Sequence, residues 1–141
     1  AHTALMAQAG QYNYPRCLAR SEHGAAQLAV FQFVDHAISA IYLLNNRYRP
    51  FYKWAYRGMR ELPRLARLET ALTGLTELGN EELEATVKQE TIEEIASLFI
   101  EEFQVQGLTQ AICGDLEKHA YSILDTVRDP SLRNMHIMSG V

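Results

Sequence analysis

The amino-acid sequence predicts an all-α fold, a single helical bundle of about five helices that occupies residues 1–141. Apolar residues recur at steps of three and four over long stretches, which is the period of a helix with one buried face. No segment alternates polar and apolar residues between hairpin signals, as the strands of a sheet would. Because neither an internal repeat nor a low-complexity linker divides the 141 residues, we expect one domain.

The first twenty residues predict two short helices separated by a turn. Gly10 is placed to end the first, over residues 3–11, because glycine is favoured just beyond a helix C-terminus. Pro15 favours extended geometry at Tyr14 and can itself occupy the first position of a helix. We therefore expect a turn at residues 12–16 and a second short helix over residues 15–20.

The central core helix is expected at residues 25–45, which contain neither glycine nor proline. A helix of this length spans about 30 Å, the diameter of a small domain. Its predicted buried residues follow the helical period: Ala26, Val30, Phe33, Val34, Ala37, Ile38, Ile41 and Leu44.

Four further helices are expected after it. The first covers residues 51–67 with a kink or cap at Pro63, and the second covers residues 68–78. The third covers residues 81–106, with Asn80 as its cap and acids in its first turn. The fourth covers residues 109–127, ahead of a short tail that begins at Asp129. The residues predicted to point inward from the third helix are Leu83, Val87, Ile92, Ile95, Leu98, Phe99 and Phe103.

Charge is divided unevenly along the chain. Residues 12–67 carry nine bases against three acids, whereas residues 68–141 carry four bases against fourteen acids. The first part would attract an anion and the second would repel one.

The two cysteines, Cys17 and Cys113, lack the spacing of a zinc or redox motif, so we expect a reduced, cytoplasmic setting. The longest apolar run, residues 37–44, is shorter than the ~20 residues of a membrane span, so we expect no membrane segment.

The densest group of potential ligand contacts lies in residues 45–57, between two predicted helices. Arginine and lysine suit phosphate or carboxylate, and neighbouring rings can stack on a base. The bases Lys53, Arg57, Arg60, Arg64 and Arg67 are spaced to share one stripe of the predicted helix. The alternative is that the rings are core, the bases form a solvated face, and Asn45 with Asn46 simply terminates a helix. A cluster of Arg47, Arg49, Lys53 and Arg57 with Tyr48, Tyr52 and Trp54 could hold a nucleotide or another anionic small molecule, and Asn45 could orient its polar groups. The residues predicted to bind substrate or anion here are Asn45, Tyr48, Tyr52, Lys53, Trp54 and Arg57.

A second candidate group consists of Tyr12, Asn13, Arg16 and Arg20. Arg16 and Arg20 lie four residues apart and would share a helix face, which two phosphate oxygens could exploit. Pairing of these arginines with acids of the chain is the alternative.

Other polar residues favour structural roles. His36 is interpreted as a hydrogen-bonded structural residue, and the six-residue spacing of Cys113 and His119 does not favour a metal site. The acid-rich run of residues 81–102 is interpreted as a solvated helix face. Glycine-rich phosphate loops and nucleophile elbows do not occur, so no catalytic residue is predicted and an independent enzyme is not expected.

Two motifs resemble a known family. They are Tyr-Asn-x-x-Arg, in residues 12–16, and Leu-Asn-x-x-Tyr-x-Pro-x-Tyr-Lys-Trp, in residues 44–54. Both resemble the C-terminal helical region of the domain of unknown function 4037 family, whose members carry a nucleotidyltransferase-like domain ahead of it. The resemblance implies a fold like that of a nucleotidyltransferase substrate-binding domain, in the C-terminal part of a longer protein. Mg²⁺ and a nucleoside triphosphate would belong to the catalytic domain, since this chain has no Gly-Ser followed by paired aspartates.

The leading hypothesis is therefore a non-catalytic helical domain that binds substrate or nucleotide. Its expected partners are an upstream nucleotidyltransferase domain or separate subunit and an anionic small molecule. The alternative is a structural or oligomerisation bundle without a small-molecule ligand, in which the bases dock on an acidic surface of another copy. Binding of a nucleic acid ranks third, because the second half of the chain is acidic.

Overall fold

Seven helices and no strand make up the chain, and the computed structural model describes all residues, 1–141. The all-α prediction is confirmed, with seven helices rather than about five. In chain order, α1 covers residues 2–18, α2 His23–Leu44, α3 Tyr52–Met59, α4 Leu68–Glu77, α5 Glu82–Val105, α6 Leu116–Asp125 and α7 Pro130–Arg133.

Helix α2 is the centre of the molecule and packs against α1, α3 and α4. Its residues Ala26, Val30, Phe33, Ala37 and Ile41 are fully buried, as their spacing predicts. They belong to one hydrophobic core of 26 buried residues, to which α1, α4 and α5 also contribute. The period of the apolar residues therefore identifies the central helix and its buried face correctly.

The predicted break at Gly10 is wrong, because α1 runs continuously from an α-helix, His2–Met6, through a π-helix, Ala7–Asn13, to an α-helix, Tyr14–Leu18. A Cβ atom on Gly10 would lie 2.4 Å from Cδ2 of Phe33 and 3.0 Å from Cγ2 of Ile92. Glycine is thus required here for the close approach of α1 to α2 and α5, and it does not end the helix. The predicted turn at residues 12–16 is wrong for the same reason, since these residues are helical.

The predicted helix of residues 51–67 is too long, because α3 ends at Met59. Residues 60–67 form turns around Pro63, and Leu65 has a positive φ of 59°. Only Lys53 and Arg57 therefore share a helix, and the single stripe of five bases does not form. Of the other three bases, Arg60 pairs with Glu69 of α4 and Arg64 pairs with Glu102 of α5, whereas Arg67 precedes α4 and forms no ion pair.

The start of α5 also differs from the prediction. Leu83 and Val87 are exposed, at 78% and 40%, whereas Ala85 and Lys88 are buried. The inward face of the first turns therefore runs through positions 85, 88 and 92, and Lys88 occupies a place where an apolar residue is expected. Asn80 does not cap α5. Glu81 is at the cap position without a capping side-chain bond, and the Asn80 side chain instead bonds His23 and Gln27 of α2 and Lys88 of α5.

The last long helix, α6, begins at Leu116 rather than at residue 109. Asp115 supplies the cap, since its side chain accepts a hydrogen bond of 2.9 Å from the backbone N–H of Glu117. Thr109 hydrogen-bonds Nδ1 of buried His119, and Nε2 of the same ring bonds the carbonyl of Cys113. These contacts hold residues 107–115 against α6 in an irregular conformation. The tail forms the short helix α7, which Asp129 caps.

Helix α2 satisfies the length and composition criteria for a membrane-crossing helix, with a mean hydropathy of 1.3. Such a helix was not expected, because the uninterrupted apolar run is short. Within this structure 61% of its most apolar stretch is buried against other parts of the fold. The burial is that of a core helix, whose apolar residues are used for packing.

Candidate binding surface

Four aromatic rings in and before α3 are exposed to solvent. Tyr48 is 98% exposed, Phe51 65%, Tyr52 67% and Trp54 53%. Arg47, Lys53 and Arg57 lie among them in sequence and are exposed as well. We refer to these seven residues as the aromatic platform: Arg47, Tyr48, Phe51, Tyr52, Lys53, Trp54 and Arg57. The alternative that these rings form part of the core is wrong for all four.

The bases of the platform make no salt bridge within the chain. The three ion pairs of the structure use Arg49, Arg60 and Arg64 instead. The ammonium group of Lys53 lies 5.6 Å from the centroid of the Trp54 ring, in a cation–π contact. Phe51 and Tyr52 contact each other, with ring centroids 4.5 Å apart and a tilt of 45°. The platform therefore offers bases without a carboxylate partner and exposed rings, although Trp54 already contacts Lys53 and Phe51 already contacts Tyr52.

Arg49 fixes the platform to the central helix. Its guanidinium donates hydrogen bonds of 2.6 Å to Oδ1 of Asp35, 3.0 Å to the Asp35 carbonyl and 2.8 Å to Oγ of Ser39. The hydrogen bond from Arg49 holds the pKa of Asp35 below its usual value. Further along, the Tyr42 hydroxyl donates 2.7 Å to the carbonyl of Ala55 in α3. In the sequence Arg49 is one more base of the stretch, but its bonds to Asp35 and Ser39 show that it holds the platform in place.

Asn45 is also engaged in holding backbone. Its amide donates to the carbonyls of Ile41 and Arg64, and its Oδ1 accepts from the backbone N–H of Arg64 at 2.9 Å. Asn46 follows with a positive φ of 54°, which ends α2 and turns the chain towards the platform. Asn45 is predicted to orient polar groups of a ligand, yet all of its hydrogen-bonding groups serve the junction of α2 with residues 60–67.

The second candidate group lies on the last turns of α1. The Tyr12 hydroxyl donates 2.6 Å to Oδ1 of Asp115, and its burial together with this carboxylate raises the pKa of Tyr12. The guanidinium of Arg16 lies 5.8 Å from the centroid of the Tyr12 ring. Arg20 donates 3.3 Å to the carbonyl of Arg16, and Asn13 is exposed. Neither arginine forms a salt bridge with an acid.

The two candidate groups lie towards opposite ends of α2. The C-terminal end of α1 leads directly into the start of α2 at His23, whereas the platform follows its end at Leu44. Twenty-two helical residues at 1.5 Å each separate these ends by about 30 Å. No hydrogen bond or cation–π contact joins residues 12–20 to residues 45–57. The ten predicted residues therefore do not line one pocket.

An open cavity accompanies each group. One of about 310 Å³ is lined by Gln11, Tyr12, Glu93, Gly114 and Asp115, and its charged groups are acids. The other, of about 270 Å³, is lined by Leu43, Asn46, Arg47 and Tyr48 at the edge of the platform. Only the second combines a base and a ring in the way that an anionic ligand with a ring requires.

The histidines and carboxylates form no cluster that could hold a metal ion. His36 and His2 share a hydrogen bond, with their Nδ1 atoms 3.1 Å apart. This contact agrees with the structural role expected for His36. The residues of this chain therefore do not fit a Mg²⁺ site.

Phe51 belongs to the platform although it was not among the predicted site residues. Phe51 lies within the densest stretch, and its exposure could not be inferred because phenylalanine in a helical bundle is usually buried. Arg47 was expected in the cluster of bases that could hold an anionic ligand, and it is exposed there without a salt bridge.

The comparisons with known proteins agree with the resemblance of the two motifs. Residues 1–55 match the model of a family described as a domain of unknown function (DUF4037). This segment contains α1, α2 and most of the platform, whereas Arg57 and the later helices lie beyond it. No curated protein and no solved structure matches the chain. Resemblance to the DUF4037 family is thereby confirmed over residues 1–55.

Proposed function

We propose that this chain is the non-catalytic, helical substrate-side domain of a nucleotidyltransferase-like protein, and that the aromatic platform binds an anionic ligand with an aromatic ring. The observation that carries the proposal is the combination of three unpaired bases with four exposed rings within residues 47–57. Bases bind phosphate or carboxylate oxygens, and rings stack on a heterocycle. A nucleotide has both groups.

The exposure of the platform suggests that it supplies only one wall of the proposed site. Small-molecule sites usually enclose most of the ligand surface. The platform alone could not do so, because Tyr48 is almost fully exposed and Tyr52 is two-thirds exposed. A second wall would therefore come from another domain or subunit. That arrangement is the one implied by the DUF4037 resemblance, in which a nucleotidyltransferase-like domain with Mg²⁺ and a nucleoside triphosphate faces the helical region.

A thermal-shift screen at low salt tests the proposal, because a ligand that binds only the folded state raises its melting temperature. The probes are ATP, GTP, UTP and phosphosugars at millimolar concentration. We expect a rise in Tm with nucleotides that is lost in Lys53→Glu. Lys118→Glu is the matched control, since Lys118 is exposed on α6 and the change of net charge is the same.

An equal Tm rise in Lys53→Glu and in the unchanged chain would contradict the assignment of the platform. The absence of any shift with all probes, in a chain that melts cooperatively, would contradict nucleotide binding by this chain.

An oligomerisation bundle is the second candidate, and a separate observation favours it. The exposed glutamates of α5 form no ion pair, and only Glu93 among them accepts a side-chain hydrogen bond, from Gln11, so this acidic face could meet the basic platform of another copy. These residues are Glu82, Glu90, Glu93, Glu94 and Glu101. Light scattering after size-exclusion chromatography distinguishes the two functions. Self-association at 50 mM salt that disappears at 500 mM salt, without any nucleotide binding, would favour the bundle.

A further inference from the structure

We infer that the ligand of the aromatic platform is a short single strand of nucleic acid, which makes contacts beyond those of one nucleotide. The inference rests on the proposed function and specifies its substrate class. Four exposed rings lie within seven residues, Tyr48 to Trp54, and a single base has only two faces to stack. Tyr48, the Phe51–Tyr52 pair and Trp54 present three separate ring surfaces, so successive nucleobases of a strand could stack on one surface each, as they do in single-strand binding proteins.

Basic and aromatic side chains are interleaved along the sequence of the platform. Arg47 precedes Tyr48, Lys53 lies between Tyr52 and Trp54, and Arg57 follows one turn later. A mononucleotide concentrates its phosphates at one point, whereas a strand presents one phosphate for each base. Basic side chains interleaved with aromatic rings therefore suit a nucleic-acid strand better than they suit a nucleoside triphosphate.

The acidic second half of the chain does not prevent this binding. No acid occurs among residues 45–60, and Asp35, the nearest acid on α2, is neutralised by Arg49. At physiological salt the Debye length is about 8 Å, so exposed acids farther away are largely screened. The local charge of the platform, rather than the net charge of −4, then determines the interaction with phosphate.

Duplex nucleic acid fits the platform less well. The bases of a duplex are stacked on one another, so the ring faces of Tyr48 and Tyr52 could not reach them without unstacking. A single strand leaves its bases free. We therefore expect binding to depend on strandedness and only weakly on sequence.

Trp54 provides the readout, because it is the only tryptophan of the chain and lies within the platform. Quenching of its fluorescence is measured with UMP, UTP and oligouridylates of two, four and eight nucleotides, at 50 and 200 mM salt. We expect the tetranucleotide to bind at least about tenfold more tightly than UMP, as stacking of one or more additional bases predicts. Tyr48→Ala should reduce this gain with length, whereas Tyr121→Ala, an exposed tyrosine of α6, should not.

The outcomes separate this inference from the proposed function. Equal affinity for UTP and the tetranucleotide would overturn the single-strand inference and leave nucleotide binding intact. Equal affinity for the octanucleotide and its duplex would also overturn it. Failure of every probe to quench Trp54 or raise the melting temperature would overturn both.

Discussion

The buried ammonium group of Lys88 donates a hydrogen bond of 3.0 Å to Oδ1 of Asn80, and no carboxylate forms a salt bridge with it. A second bond of 2.7 Å reaches Oε1 of Gln27 in α2, and the Tyr14 ring lies 5.8 Å from Nζ. Asn80 also accepts from the Tyr14 hydroxyl and donates to Gln27 and to the carbonyl of His23. One amide side chain thus joins α1, α2 and α5.

The role of Asn80 predicts an asymmetry between two substitutions. Asn80→Ala removes an acceptor from Lys88 and from Tyr14, so we expect it to lower the free energy of unfolding by about 2–3 kcal/mol. Lys88→Met removes the buried charge itself and leaves the remaining amides paired with each other, so we expect a loss of about 1 kcal/mol or less. Urea denaturation measures both, with Asn134→Ala, an exposed position, as the control. A larger loss for Lys88→Met than for Asn80→Ala would contradict this account.

Gly10 and Gly74 predict opposite effects of the same substitution. Gly10→Ala places a methyl group 2.4 Å from the Phe33 ring, so we expect a loss of about 1–3 kcal/mol through overpacking. Gly74 lies within α4, and a methyl group there would meet no atom within 4 Å, so Gly74→Ala should stabilise the helix by roughly 0.5–1 kcal/mol. Thermal denaturation of both variants tests the prediction. Equal effects would show that α1 does not approach α2 closely at Gly10.

The His2–His36 pair predicts a loss of stability in acid. Burial, then the neighbouring His36, lowers the pKa of His2 to about 4, and burial also lowers the pKa of His36. The unfolded chain binds these protons near pH 6.5, so below that pH it binds more protons than the folded chain. Stability should therefore fall as the pH decreases from about 6.5 to about 4.

Melting temperatures at pH 7, 6, 5 and 4.5 measure this effect. The decrease in acid should be smaller in His36→Gln, which removes one of the two histidines, and unchanged in His23→Gln, whose side chain is exposed. An acid decrease of the same size in all three proteins would show that the pair is not responsible.

Substitutions of Arg49 and Arg47 should distinguish a residue that positions the platform from one that contacts the ligand. Arg49→Ala loses the bonds to Asp35 and Ser39, so we expect about 1–2 kcal/mol less stability together with weaker nucleotide binding. Arg47→Ala, at an exposed base without a salt bridge, should weaken binding while stability stays within about 0.5 kcal/mol. The measurements are urea denaturation and isothermal titration of the same preparations. Unchanged stability in Arg49→Ala would remove its positioning role.

The sequence was most informative where a helix has one apolar face in regular period. Phe33, Ala37 and Ile41 were correctly predicted as buried, because their spacing depends only on local geometry. The role of Gly10 could not be predicted from sequence, since the local sequence does not distinguish a glycine that ends a helix from one at a close contact between helices. The distinction depends on Phe33 and Ile92, which are distant in the chain.

Charged residues were predicted less well, because their partners are distant in sequence. Arg64 pairs with Glu102 and Arg60 with Glu69, so two members of the expected stripe stabilise the fold and are not available to a ligand. Lys88 shows the same limit, since nothing local distinguishes it from the solvated bases. The rings of residues 48–54 were recognised as a group, but only the fold shows that they face solvent.

Binding at the platform is tested most directly by ¹H–¹⁵N NMR spectra of the chain during titration with UTP and with tetrauridylate. The only tryptophan gives a single indole N–H signal, which reports on Trp54 without assignment of the other residues. We predict that this signal and the amide signals of residues 47–57 shift together and saturate. Shifts confined to residues 11–20, or no shift at millimolar ligand, would contradict the assignment of the aromatic platform as the binding surface.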